Sequence, residues 1–335
     1  MINAEPAITF DEVSKQYKGG NLALSQLSCD FSPGKVTALL GPNGAGKSTA
    51  IKSIVGLTDI SSGRVSVCGL EVNEKNKSLR ERVGYVGQTV SLDIFSTVTE
   101  NLLFHAAMYK VDRSNALGRI EELINIFDMS SFANRKVRTF SGGEKRRLDI
   151  AMALIHKPDL LILDEPTVGL DVDSQCQIWA YLEKLQEEEE ITIVFSTHNL
   201  YEAERYADNI IFINIGKVVA KGTPDELTSL VGGETVKVSF DSTANALKAS
   251  LALDSQESLN TVSVKDDSVF IVVDDGAKSV AKIVSLLNEA QLEATNIQVK
   301  KPSLDDVYMK ITGEQYDEVN MSGQETKQSN PWEAY

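Results

Sequence analysis

Cysteine is scarce in this chain. Cys29, Cys68 and Cys176 are three among 335 residues, too few, too scattered and odd in number for a disulfide frame. No CxxC spacing accompanies them, so a zinc site of paired cysteines is excluded as well, and each is expected as a buried free thiol. Long apolar runs are also missing. None reaches the roughly 18–20 residues that a membrane-spanning helix needs. The opening MINAEPAITF lacks the basic stretch and apolar core of a secretory signal, so the chain is expected to stay in the cytoplasm. Basic residues are in deficit, 33 Lys plus Arg against 48 Asp plus Glu, a formal charge of −15. A binder of phosphate backbones needs the opposite sign, which argues against nucleic acid as a partner. No repeat of solenoid period is present.

What remains is an ordinary globular composition, 42% hydrophobic and 24% charged, in a length that suits two domains. Residues 1–230 mix short β-branched runs with helical patterns, as in an α/β fold with a parallel sheet. Strands are expected at 35–40, 82–86, 159–163, 191–195 and 209–213. Three of them, KVTALL, DLLIL and ITIVF, run straight into polar or Gly-rich residues, where open α/β sheets bind ligands. A boundary is expected at 230–234. Beyond it, residues 235–313 read as strand (235–240), helix (243–252), two strands (261–266 and 268–274), helix (277–290) and strand (294–300). That β-α-β-β-α-β order predicts a small α+β, ferredoxin-like accessory domain. A short closing helix follows Pro302, with Ser303 as its N-cap. The polar tail 314–335 is expected to be disordered, and its Trp332 and Tyr335 read either as a docking peptide or as having no specific role.

The strongest motif is Gly41-Pro42-Asn43-Gly44-Ala45-Gly46-Lys47-Ser48-Thr49, which satisfies GxxxxGK[ST] between an expected strand and an expected helix. Its glycines let backbone N–H groups turn around phosphate oxygens, and the helix N-terminus adds positive charge. Lys47 suits the β and γ phosphates of a nucleotide such as ATP, and the Ser48 hydroxyl suits Mg2+. A second motif, LLILDEP, ends a buried strand in two carboxylates. Asp164 suits the surroundings of the metal, and Glu165 stands where a base would take a proton from water. Read alone, such a run is equally a helix or turn cap. A third string, Phe140-Ser141-Gly142-Gly143-Glu144-Lys145-Arg146-Arg147, opens a helix with a hydroxyl and free amides, which is a second anion site. It reads either as an ordinary N-capped helix or as a site for a nucleotide held by another copy of the chain. Lys145, Arg146 and Arg147 read as the solvated face of that helix.

Together these residues resemble the ATP-binding subunits of ABC transporters, in the family's order and spacing over most of residues 7–230. GPNGAGKST is similar to the Walker A motif, LLILDEP to Walker B and FSGGE to the signature. Gln88 resembles the Q-loop glutamine, Asp171 the D-loop aspartate and His198 the switch histidine, while Tyr17 takes the place of the aromatic that stacks on adenine. Phe140, Glu144 and Gly87 stand where the family more often has Leu, Gln and Pro. The resemblance implies a P-loop NTPase cassette with a parallel core sheet, an antiparallel β part and a helical subdomain at about 90–155. It also implies a head-to-tail homodimer in which Ser141, Gly142 and Gly143 complete the partner's ATP site. In that site Glu165, His198, Gln88 and Lys47 act in hydrolysis, and Ser48, Gln88 and Asp164 attend the metal.

The last segment, KPSLDDVYMKITG, resembles the closing motif of bacterial export ATPases of the drug and antibiotic resistance type. Their ATPase and membrane permease are separate proteins. The expected partner is therefore a separately encoded integral membrane permease, met near residues 88–105, and the chain is expected to be peripheral on the inner face of the membrane through it. A non-transport ABC ATPase working on the ribosome or an envelope complex is the alternative.

Overall fold

The computed structural model describes residues 5–73, 77–254 and 261–312; the tail with Trp332 and Tyr335 lies outside the described residues. The chain divides into two compact units between Thr223 and Pro224.

The first unit runs through β1 (Ile8–Gln16), β2 (Leu22–Phe31), β3 (Val36–Leu40), α1 (Lys47–Ile54), β4 (Ser62–Val67) and β5 (Leu70–Glu71). It continues with α2 (Lys77–Arg82), β6 (Val83–Val86), α3 (Val98–Met108), α4 (Arg113–Ile126), α5 (Gly142–Ala153) and β7 (Leu160–Asp164). It closes with α6 (Val172–Glu189), β8 (Thr192–Thr197), α7 (Leu200–Tyr206), β9 (Asn209–Asn214) and β10 (Lys217–Gly222). The five expected strands form within two residues of their expected ends. With β10 added they build one sheet in the order β10-β9-β3-β8-β7-β6, parallel throughout except for the β9–β10 edge pair.

Every residue of β3, β7 and β8 is buried. Both faces of this sheet are covered, so its strands read as unbroken apolar runs rather than alternations. A second, antiparallel sheet, β2-β1-β4-β5, joins the same core. Ile8, Phe10, Leu24 and Phe31 from it cluster with Ala50, Ile51 and Ile54 of α1 and with Leu39, Ile162 and Val194 of the parallel sheet. The sequence pattern does not locate β1 and β2 because bulges break their alternation. The register slips between Phe10 and Val13, and Glu12 and Gln26 take left-handed φ values of 49° and 50°. Helices α3, α4 and α5 occupy the stretch expected as a helical subdomain.

The second unit contains α8 (Pro224–Ser229), β11 (Glu234–Ser239), α9 (Thr243–Asp254), β12 (Thr261–Lys265), β13 (Ser268–Val273), α10 (Gly276–Glu289), β14 (Asn296–Lys300) and α11 (Leu304–Thr312). Its strands pair antiparallel in the order β12-β13-β11-β14, the split βαβ topology expected. Val236, Val238, Val269, Ile271 and Val273 pack with Ala246, Ala249 and Leu253 of α9 and Ile283 and Leu287 of α10. The residues between them on β11 and β13 are mostly only half-buried, so this sheet keeps the period-2 alternation. Ser303 caps α11 as expected. Its hydroxyl accepts from the Asp306 N–H at 3.4 Å, and its own N–H donates to the Asp306 carboxylate at 2.8 Å. Lys310 of α11 donates to the Leu230 carbonyl at 2.6 Å, drawing the segment after α8 into this unit.

The cysteines correct one expectation. All three are free, but Cys29 and Cys68 are half-buried and Cys176, on α6, is exposed. Burial pushes the Cys29 thiol up to about 12, which leaves it protonated and inert.

Candidate active site

The parallel strand order decides what can meet. β3, β8, β7 and β6 lie side by side, so the residues following their C-terminal ends share one rim. These are the loop 41–46 after β3, His198 after β8, Glu165 after β7 and Gln88 shortly after β6. The rim surrounds a cavity of about 240 Å3 lined by Tyr17, Asn43, Gly44, Gly46, Lys47, Ser48, Thr49, Gln88 and Glu165, among others. A larger cavity, about 590 Å3, lies at the opposite end of the strands against Pro33, Arg82, Asp159 and Thr192. It is remote from the phosphate loop, so it is not the nucleotide site.

The loop is built by its glycines. Gly46 has φ 109° at the N-cap of α1, and a Cβ there would stand 2.5 Å from the Ala23 carbonyl oxygen. Only glycine meets both demands. Gly44 is also left-handed, with φ 83°. Ala45 is buried, and its N–H donates to the Pro42 carbonyl at 3.1 Å. No side chain caps α1, and no acidic residue occupies its first turn. The start of α1 therefore carries no carboxylate that would compete with an anion. The buried Lys47 ammonium donates to the carbonyls of Gly41 (2.6 Å) and Pro42 (3.0 Å), which holds it over the loop. Tyr17 is 39% exposed at the rim, with its hydroxyl 3.4 Å from Thr49 Oγ1. That contact draws the phenol below its ordinary range against a weaker effect of burial.

Behind the loop, buried Asp164 accepts from Ser48 Oγ at 3.1 Å and from Ser196 Oγ at 2.6 Å. Ser196, which the sequence reading did not single out, also accepts from the Glu165 N–H at 3.0 Å. Glu165 has φ 50°, strain of the kind that collects at functional sites. One of its carboxylate oxygens accepts from Gln88 Nε2 at 2.8 Å, and the other stands 3.2 Å from His198 Nδ1. The hydrogen bond with His198 holds the Glu165 carboxyl below the usual carboxylate range. Burial opposes that shift, while the charges of His198 and Lys47 and the bond from Gln88 support it. The result is an ionised carboxylate aimed at the mouth of the phosphate loop.

Ser141, Gly142, Gly143 and Asp171 stand outside this cavity. Ser141 caps α5 in a capping box: its hydroxyl accepts from the Glu144 N–H (3.2 Å), and its own N–H donates to the Glu144 carboxylate (2.7 Å). Either Glu or Gln can fill that position, which accounts for Glu144, and Arg135 pairs with it at 3.0 Å. Phe140 is buried edge-on against Phe132, with ring centres 5.0 Å apart. Asp171 caps α6 by accepting from Ser174 N at 2.9 Å and Ser174 Oγ at 2.8 Å. A Cβ on Gly143 would lie 2.6 Å from Ser174 Oγ, so this glycine lets the start of α5 meet the start of α6. Ser141 and Gly142 remain exposed.

Arg146 corrects the sequence reading. It is not on a solvated face but 4% exposed. Its guanidinium donates to the carbonyls of Gly87 (2.8 Å), Asp164 (3.3 Å), Glu165 (3.2 Å) and Pro166 (2.7 Å) and to Asp149 (3.2 Å). The helix thereby grips both the residue before Gln88 and the backbone of the carboxylate loop. Helical spacing carried the signal: Arg146 shares a stripe with Gly143 and Ile150, both buried.

Comparison with known proteins agrees with this geometry. The ABC transporter family matches residues 24–168, and the family "ATP-binding protein DrrA1-3-like, C-terminal domain" matches residues 222–312. The chain is 35% identical to the daunorubicin resistance ATP-binding protein DrrA3 of Streptomyces coeruleorubidus, over 93% of this chain and 97% of that one. It is 33% identical to the Nod factor export ATP-binding protein I of Rhizobium etli, over 92% and 93%. Among solved structures it resembles the dimeric ATP-binding cassette MJ0796 in a post-hydrolysis state bound to ADP and Pi. The TM-score is 0.58 at 29% identity, covering 64% of this chain and 98% of that one. The chain belongs to the ATP-binding, ATP-hydrolysing subunits of ABC transporters, among those that carry a DrrA1-3-like C-terminal domain.

Proposed function

We propose that two copies of this chain pair head to tail, each holding ATP in the cavity between Tyr17 and Lys47 and each closing the other's site with Ser141, Gly142 and Gly143. The observation that carries this reading is the separation within one chain. Gln88, Glu165 and His198 converge over the phosphate loop, whereas the second anion-binding helix start is exposed and outside the cavity. A second copy supplies what the first lacks. The dimeric solved cassette supports the pairing.

In this arrangement Gly41 to Thr49 cradle the phosphates, Lys47 neutralises them and Tyr17 stacks on the base. Glu165, ionised and fixed by Gln88 and His198, takes the proton of the attacking water. His198 contacts the γ-phosphate, and Asp171 meets the partner across the dimer. Ser48 and Asp164, whose oxygens stand 3.1 Å apart, and the Gln88 amide form a hard oxygen set that fits Mg2+. When bound, Mg2+ would neutralise charge on the β and γ phosphates.

The partner that receives the motion is a separate membrane permease, which places the chain at the inner face of the membrane. No helix among the described residues is long and apolar enough to cross a membrane. Near the Q-loop, Val90, Ile94, Phe95, Phe104 and Met108 are exposed, the apolar surface such docking needs. The similarity to a daunorubicin resistance and a Nod factor export ATP-binding protein favours export as the direction of transport.

The test is the Glu165→Gln variant loaded with Mg-ATP. It is expected to bind nucleotide, run as a dimer in size-exclusion chromatography and barely release phosphate. A nucleotide-loaded variant that stays monomeric even with its permease would refute the shared site.

A further inference from the structure

Glu202 lies on α7, 5% exposed, and takes no part in the reaction just described. One of its carboxylate oxygens accepts from Thr167 Oγ1 at 2.5 Å and from Trp179 Nε1 at 2.9 Å. The other accepts from Thr197 Oγ1 at 2.5 Å. Among the described residues no Lys or Arg pairs with it, so this buried group depends on neutral donors alone. Such an arrangement is costly where an apolar side chain would fill the space.

Its three partners come from different segments, and each segment leads to the site. Thr197 directly precedes His198, and its hydroxyl also accepts from the Asn199 N–H at 2.9 Å, so it is held on both sides. Thr167 is two residues after Glu165, and its carbonyl accepts from the Leu170 N–H (3.2 Å) and Gln175 Nε2 (3.3 Å) in the turn toward Asp171. Trp179 belongs to α6, which Asp171 caps.

We infer that Glu202 is a positioning residue for ATP hydrolysis. Through Thr197 and Thr167 it sets the spacing of His198 and Glu165, and through Trp179 it ties that spacing to α6. The inference rests on the catalytic roles proposed above for Glu165 and His198. Glu202 touches neither the phosphate loop nor the cavity, so its loss acts on turnover and not on nucleotide affinity. A looser His198 also loses its fixed 3.2 Å approach to the Glu165 carboxylate.

The experiment compares Thr197→Val, Thr197→Ser and Glu202→Gln in the full chain by steady-state Mg-ATP hydrolysis. Thr197→Val and Glu202→Gln are expected to lower kcat about tenfold to a hundredfold, the scale of a small misplacement at a reacting centre. KM is expected to hold within about twofold, since the interaction lost is one that binding does not use. Thr197→Ser, which keeps the hydroxyl, stays close to wild type. The inference is overturned by wild-type kcat with only a lowered melting temperature, or by kcat and KM changing together. Glu165→Gln in the same assay separates the two readings. If it turns over normally, the catalytic assignment falls and this inference with it. If it is inactive while Thr197→Val is unaffected, only the role of Glu202 falls.

Discussion

The two sheets at the centres of the two units are built on opposite rules. In the first unit β3, β7 and β8 are buried at every position. Neither face of that sheet is free, and chemistry is confined to the ends of its strands. In the second unit β11 and β13 alternate buried with half-buried residues, and helices α9 and α10 supply the packing against one set. Its strand ends bring together no carboxylate, amide and imidazole among the described residues. A sheet covered on both sides thus confines a ligand to the ends of its strands.

The largest expected contrast is in turnover. Glu165→Gln removes the proposed base and is expected to slow phosphate release by roughly 10²–10⁴-fold, whereas Lys237→Gln on the second sheet leaves ATP turnover unchanged. Equal losses would break the division of labour between the sheets. Next comes nucleotide affinity. Lys47→Ala deletes a charge-assisted contact of about 1.5–3 kcal/mol, so titration calorimetry should show binding weakened by about ten- to a hundredfold.

A smaller contrast concerns packing. Val194→Thr places a hydroxyl in a fully buried strand at a cost of about 1–3 kcal/mol. Val272→Thr, at a half-buried position of β13, should stay within about 0.5 kcal/mol. Equal calorimetric shifts would show that both sheets are covered alike.

The last contrast is in acid stability. Burial pushes the His156 imidazole down to about 4, well under the ordinary value of about 6.5. Below that ordinary value the unfolded chain binds the proton and the folded chain does not, so stability drains as pH falls from about 6.5 toward 4. His156→Phe keeps an aromatic ring for the stack on Tyr109, now 3.8 Å between centres. Its melting temperature should fall less over that range than that of the wild type, and a parallel fall would remove His156 as a source of acid sensitivity.

The phosphate loop, the carboxylate strand and the capped start of α5 were legible because each is encoded within a few consecutive residues, by glycine sterics, apolar runs and capping hydrogen bonds. The split βαβ order of the second unit was legible because its strands pair with few interruptions. β1 and β2 were not, since bulges destroy the period that reveals a strand. Nor were Arg146, Ser196 and Glu202. Their partners lie up to 59 residues away along the chain, so even the buried stripe that holds Arg146 does not tell which groups it grips.

Local sterics and hydrogen bonding along the chain therefore determined that a glycine-built phosphate loop, a carboxylate pair at a strand end and a capped helix start exist here, and roughly where each begins. Which of them face one another was decided only by the pairing of β3, β8, β7 and β6. That pairing brings Gln88 to within 2.8 Å of Glu165 across 77 residues of sequence. It also leaves Ser141 outside the cavity, because the covered faces of the sheet leave only its strand ends open to a ligand.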